Sequence, residues 1–365
     1  MFAVTLGRRA FCRALGLALL FVNGVRAIGA ASNNGVRATS AASPRRSRVV
    51  SVHDARASSA GKGLDDADLD QDVLREMVNR GVLALTGAKE LRQAWCEIIP
   101  DPSKKVAIKV NCQIRGIYTK AKVVQPIVEG ILSAGVQADH ILIYDMTDNA
   151  FDLAGFRRNT GPGLKVGKVS DFGGYSRVIY HRLANLLTGG HRYSGLNLAA
   201  SVLNARGGRW DCDYLINVPV LKALDGYCGV SLGMKNHYGS IADPGEHHKD
   251  IMEHIPLINS LPEIRKKTRL VLLDAIFGEY LWQNGRDQRY VTRVNKILAS
   301  RDPVAIDATG WRMIEKLRKE HGIPPVQPQP VYIAKAAALG LGADDPSRIE
   351  LVELEAGRDH AGREQ

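Results

Sequence analysis

Four short apolar runs, each ending at or beside a polar residue, do most to limit how this chain can fold. They are Lys105–Asn111, His140–Tyr144 with Asp145 behind it, Tyr214–Val218, and Leu270–Leu273 with Asp274 behind it. Consecutive β-rich apolar residues over so few positions suit strands buried on both faces. Between them lie stretches of helical spacing. Val73, Leu74, Met77, Val78, Val82 and Leu85 mark a helix over Asp70–Leu85, and Val123–Ala134 is a second, with Gly135 behind it as a C-cap. Further helices are expected at Asp250–Ser260, at Pro303–Lys319 with Asp302 as N-cap, and at Tyr332–Leu339. Further strands are expected at Val49–His53, Lys296–Ala299 and Ile349–Leu354. Alternating strands and helices predict an α/β fold: a mainly parallel sheet with helices on both faces. The Gly- and Arg-rich stretch 151–211 fits neither period and reads as an irregular insertion with short strands.

The front of the chain reads as an address. Arg8-Arg9 with Phe11 precedes an uncharged, mostly apolar run from Ala14 to Val25, and Gly29-Ala30-Ala31 places small residues before Ser32. This is the plan of a secretory signal over residues 1–31, and the arginine pair makes it resemble a twin-arginine signal. The apolar run is too short to span a bilayer, so no stable membrane span is expected after cleavage. The expectation is a periplasmic or otherwise exported protein that meets the twin-arginine export machinery. Residues 32–48 are expected as a disordered linker, 49–354 as one domain and 355–365 as a disordered tail.

That front end also explains the charge. The whole chain carries +11, but residues 1–31 hold four arginines and no acid, and residues 32–62 hold six basic groups against Asp54. About +2 is left for the rest. A nearly neutral body removes the electrostatic case for nucleic acid.

Cys96, Cys112, Cys212 and Cys228 lie beyond the signal, and none forms a CxxC, so no iron–sulfur cluster motif is present. They read as buried small hydrophobes, or as two disulfides in an oxidising compartment.

In open parallel sheets ligands bind beyond the carboxyl ends of the strands. Those ends carry Lys109, Asn111 and Gln113, then Asp145, Thr147 and Asp148, then Asn217 and Lys222, then Asp274. A single Asp or Asn there is commonly a cap or turn residue. The set aims amides, ammonium groups and carboxylates at one edge. Lys109 interrupts an apolar strand, so its charge needs a partner or a ligand. The stretch Asp213–Gly239 adds Lys235, Asn236 and His237 after a small-residue loop. Lys109, Asn111, Asn217, Lys222 and Asn236 are the candidate substrate-binding residues; His237, Lys235 and Asp274 are the candidate catalytic ones. His247, Asp250 and His254, at i, i+3 and i+7 of a helix, are a candidate metal set, with a divalent ion as the cofactor they would hold. Surface histidines at an acidic helix start would look the same. No Walker loop, GxSxG elbow or HExxH is present.

Taken together, these segments resemble the domain of unknown function 362 family. The matching pieces are Val106–Asn111, Asp213–Lys222, Gly233–Gly239, His247 or His248, Leu273–Ala275 and Ala299–Asp307, covering roughly 49–354 in order and spacing. Some members carry ferredoxin-type cysteine clusters, which this chain does not. Members often have a His two residues after the first lysine, where this chain has Leu224. The strand–proline–loop–lysine layout is more remotely similar to nickel-dependent lactate racemase, whose corresponding loop holds a nickel-pincer nucleotide. The expected function is an exported enzyme acting on a small anionic molecule, with or without metal assistance. The alternative is a non-catalytic ligand- or cofactor-binding accessory protein of a periplasmic redox system.

Overall fold

Alternate residues of the central strands enter two separate cores. Val106 and Ile108, Ile141 and Ile143, Leu270 and Leu272 join one; Ala107, Leu142 and Tyr144, and Val271 and Leu273 join the other. Successive strand side chains point to opposite faces, so a sheet apolar at every position must be covered twice. The computed structural model describes residues 46–59, 68–175, 211–241, 244–245, 247–283 and 288–357. The expected signal lies outside them, as do 176–210 of the expected insertion.

The strands are β1 (Ser47–His53), β2 (Val106–Lys109), β3 (Ile141–Asp145), β4 (Lys165–Lys168), β5 (Tyr214–Asn217), β6 (Val220–Leu224), β7 (Gly229–Ser231), β8 (Thr268–Glu279), β9 (Val291–Ser300) and β10 (Ile349–Glu355). They form one ten-stranded, mostly parallel sheet in the order β10-β1-β9-β8-β5-β2-β3-β4. β9 runs antiparallel to both neighbours; β6 lies parallel to the second half of β8, with β7 antiparallel beside it. The helices are α1 (Gln71–Thr86), α2 (Leu91–Ile98), α3 (Ala121–Ser133), α4 (Gly233–Asn236), α5 (Ile251–Ser260), α6 (Pro262–Arg265), α7 (Pro303–Glu320) and α8 (Tyr332–Ala338). α1, α2 and α3 cover the first face, while α4, α5, α7 and α8 cover the second. No described helix is long and apolar enough to cross a membrane.

The starts expected for α1 and α7 hold to within a residue. Asp70 accepts from Asp72 and Val73 N–H at the start of α1, and Asp302 accepts from Val304 and Ala305 N–H at the start of α7, with Pro303 in the first turn. Several boundaries move, among them the start of β9, which lies at Val291 rather than Lys296. β1 starts at Ser47, inside the expected linker, because Arg48 grips Glu350 through two nitrogens and the strand pairs with β10 from its first residue. β10 likewise runs to Glu355. β8 does not stop at Asp274 but runs on to Glu279, since Asp274 accepts N–H bonds from Lys120 and Ile276 and so sits inside a strand at little cost. All four cysteines are free, and three of them are buried.

α2 and α3 touch where Gly130 faces the Trp95 ring. A Cβ on Gly130 would lie 2.0 Å from Trp95 Cε2. Trp95 is fully buried and has no room to retreat. Gly130→Ala is therefore expected to destabilise the fold by about 1–3 kcal/mol or more. Denaturant unfolding checks this; an unchanged midpoint would mean that the two helices can slide apart.

Candidate functional site

Strand register gathers the polar strand ends into one network. Lys109 pairs with Tyr144 on one side and Asn217 on the other, so Lys109, Asp145 and Asn217 reach the same edge from three parallel strands. Lys109 Nζ donates to Asp145 Oδ1 at 2.7 Å, to the Val110 carbonyl at 2.6 Å and to Asn236 Oδ1 at 3.2 Å. An ammonium has three protons, and all three are used. Asp145 Oδ2 in turn accepts from the Cys112 N–H at 2.6 Å. The pair is nearly sealed from solvent, with exposures of 1% for Lys109 and 2% for Asp145.

Three asparagines extend the network. Asn236 Oδ1 accepts from Asn111 Nδ2 at 3.0 Å, and Asn236 Nδ2 donates to Asn217 Oδ1 at 2.7 Å. Asn217 Nδ2 donates to the Gly233 carbonyl at 2.7 Å. Lys222 Nζ, from β6, reaches Asn111 Oδ1 at 3.2 Å. The short helix α4 is thus pinned at its carbonyl side by β5. At its start, Asp307 of α7 accepts from Gly233 N–H at 2.7 Å and Met234 N–H at 3.1 Å. Burial pushes the Asp307 carboxyl up to about 7, against the pull of those two N–H groups. Gly239 lets the next turn close over the ion pair: a Cβ there would stand 2.7 Å from Lys109 Cε.

Above this floor lies a cavity of about 240 Å³. Lys109, Asn111, Lys222, Lys235 and Asn236 line it, joined by Asp145. Five of the eight expected catalytic and substrate-binding residues therefore meet in one place. Tyr227, Tyr238, His248 and Trp282 also line it, and no sequence pattern marks them for that place. His248 follows His247 in the sequence, and Tyr238 falls one helical turn past Lys235, but neither position shows in the sequence which way its side chain points. Leu224, in the place of the family's common His, also lines the cavity.

The other three candidates lie elsewhere. His237 is 1% exposed and borders a second cavity of about 190 Å³ with Asn217, Asn259, Arg265 and Arg301. Its Nδ1 is 3.2 Å from Ser240 Oγ, and burial, with Lys109 nearby, pushes its pKa down to about 3. Such an imidazole stays neutral at physiological pH. Asn217 works beneath the first cavity, holding Asn236 and α4. Asp274 is buried in β8 and ties the start of α3 to the sheet through the Lys120 N–H at 3.1 Å; burial raises its pKa.

His247, Asp250 and His254 do not share one helix, because α5 begins at Ile251 and His247 lies in the turn before it. Their rings do meet: His247 and His254 pack edge to face with centroids 5.0 Å apart, and His254 Nδ1 lies 3.0 Å from the His247 carbonyl. Among the described residues, no group of three or more His, Cys, Asp or Glu side chains is arranged to hold a metal ion.

The family model for a domain of unknown function, DUF362, matches residues 106–312, more than half of the chain. The chain belongs to the domain of unknown function 362 family. No curated protein matches the sequence. The match begins at β2 and ends in α7, so it encloses every residue of the lysine–asparagine network from Lys109 to Asp307. Within the matched stretch, the segments around Lys109, Lys222 and Lys235 line one cavity.

Proposed function

We propose that this cavity binds a small anionic molecule and that the protein is an enzyme acting on it, after export through the twin-arginine route. The observation that carries the reading is the arrangement of Lys222 and Lys235 around a cavity whose floor is already neutralised by the Lys109–Asp145 pair. Lys109 has no proton left to give. Among the described residues Lys222 has a single side-chain acceptor, Asn111; burial pushes its pKa down, and Glu279 is the acid that opposes this most. Lys235 faces an imidazole and an aromatic ring. These two ammonium groups, with the amides of Asn111 and Asn236, can receive a carboxylate or phosphate.

Isothermal titration with small carboxylates and phosphate tests the binding half. Lys222→Ala is expected to weaken the best ligand about 10- to 100-fold, the range of a charge-assisted hydrogen bond. Unaltered affinity in that variant would remove the reading. Product analysis of any bound compound then separates an enzyme from the alternative, a non-catalytic accessory protein that holds its ligand. Elemental analysis of protein purified from its own host addresses metal assistance. For export, Arg8→Lys with Arg9→Lys is expected to leave the precursor uncleaved and inside the cell, read by fractionation and blotting.

A further inference from the structure

Lys235 is set up differently from the other two lysines. Its Nζ lies 3.7 Å from the Tyr238 ring centroid and 3.4 Å from His248 Nε2. No carboxylate among the described residues lies within ion-pair distance of it. His248 Nδ1 is 2.6 Å from the Pro244 carbonyl oxygen, an atom that can only accept. The imidazole proton therefore sits on Nδ1, and the Nε2 lone pair faces the lysine. Lys222 stands on the same cavity wall, and Tyr227, half exposed, stands at the rim. An amine held against a ring, faced by a base and flanked by a second cation, is the setting in which lysine becomes a nucleophile.

Resting on the reading that the cavity takes a small anion, we propose that Lys235 forms an imine with the carbonyl carbon of a small 2-oxo acid whose carboxylate is held by Lys222. The neutral Nζ attacks the carbonyl carbon, and a C–N bond forms as the C=O π bond opens. His248 Nε2 carries two protons in turn: the first passes from the ammonium formed on attack to the alkoxide, giving the carbinolamine, and the second from the carbinolamine nitrogen to its hydroxyl, so that the C–O bond breaks, water leaves and the C=N bond forms. Amine and ketone thus give imine and one water, with no oxidant or reductant. Burial, with Lys222 and Lys109 nearby, pushes the Lys235 amine down to about 8, so a useful fraction is unprotonated near neutral pH.

The test is trapping on the full chain. The protein is incubated separately with pyruvate, glyoxylate and 2-oxoglutarate in the presence of cyanoborohydride, then digested and mapped by mass spectrometry. The expected result is a single adduct on Lys235 with at least one acid, approaching one per chain. Acetone, which lacks the carboxylate, should label it at least tenfold less, and His248→Ala should slow labelling at least tenfold. Lys235→Arg, checked for folding by its unfolding midpoint, should abolish the adduct. An acid that binds by calorimetry yet leaves Lys235 unlabelled, or labels exposed lysines evenly, overturns the imine and leaves the anion reading standing. If none of the three acids, nor phosphate, gives a binding heat, the anion reading fails and the imine fails with it.

Discussion

Asp145→Asn is expected to destabilise the protein by about 3–5 kcal/mol, the usual consequence of removing one partner of a buried ion pair. Two losses combine. Lys109 Nζ would keep its charge under a nearly complete roof, with only the Val110 carbonyl and the Asn236 amide oxygen as neighbours. The new amide would also present an NH₂ either to Lys109 or to the Cys112 N–H, and both of those are donors. The converse variant, Lys109→Met, should cost less. Asp145 would still accept N–H bonds from Cys112 and Met146, both at 2.6 Å. Chemical unfolding of the two variants, with circular dichroism as readout, gives the comparison. A loss within about 1 kcal/mol for Asp145→Asn, as for an exposed pair, would mean that water reaches Lys109 and that the network is not the rigid floor described above.

That pair also marks the limit of what the residues alone reveal. Lys109 stands out in the sequence because a cation breaks an apolar strand, and Asp145 because it closes another. That they are partners depends on the parallel register of β2 and β3, which is set by packing across the sheet rather than by either segment. The strands and long helices were legible because their periodicity is local. The second half of β8 was not, since an aspartate usually ends a strand and this one is satisfied by the Lys120 N–H at the start of α3 and by the Ile276 N–H two residues on. Val220–Leu224 carries no local signal of its own, and Pro219 separates β5 from β6 as the chain crosses to the far half of β8. Lys235, Asn236 and His237 were read as one cluster. Adjacent residues on a helical turn point in different directions, so two of them face the first cavity while His237 turns to the second. The same limit separates His247 from His248: one residue decides which imidazole meets the lysine.

Lys235→Met is expected to raise stability at pH 7, by an amount that approaches about 3 kcal/mol at most. The folded protein holds the Lys235 amine at about 8, where an ordinary lysine titrates at 10.5. At 1.36 kcal/mol per pH unit, that gap sets the ceiling. The sign follows from proton linkage. Between pH 8 and 10.5 the unfolded chain binds more protons at this site than the folded one, so the wild type gains stability as pH rises through that window. Above 10.5 the amine is neutral in both states and the contribution is fully present. As pH falls through 8 it is lost, and the folded state then carries a buried ammonium whose burial and neighbouring cations outweigh what the Tyr238 face returns. Methionine keeps the unbranched side chain as far as Cε and removes that charge. Urea unfolding of both proteins from pH 6.5 to 10.5 should show the variant ahead at neutral pH and the difference closing as pH rises. A difference independent of pH would place the amine in water and deny it the shifted titration. A closing difference would identify Lys235 as a group that lowers the stability of its own fold, which a chain retains when the residue is needed for chemistry rather than for packing.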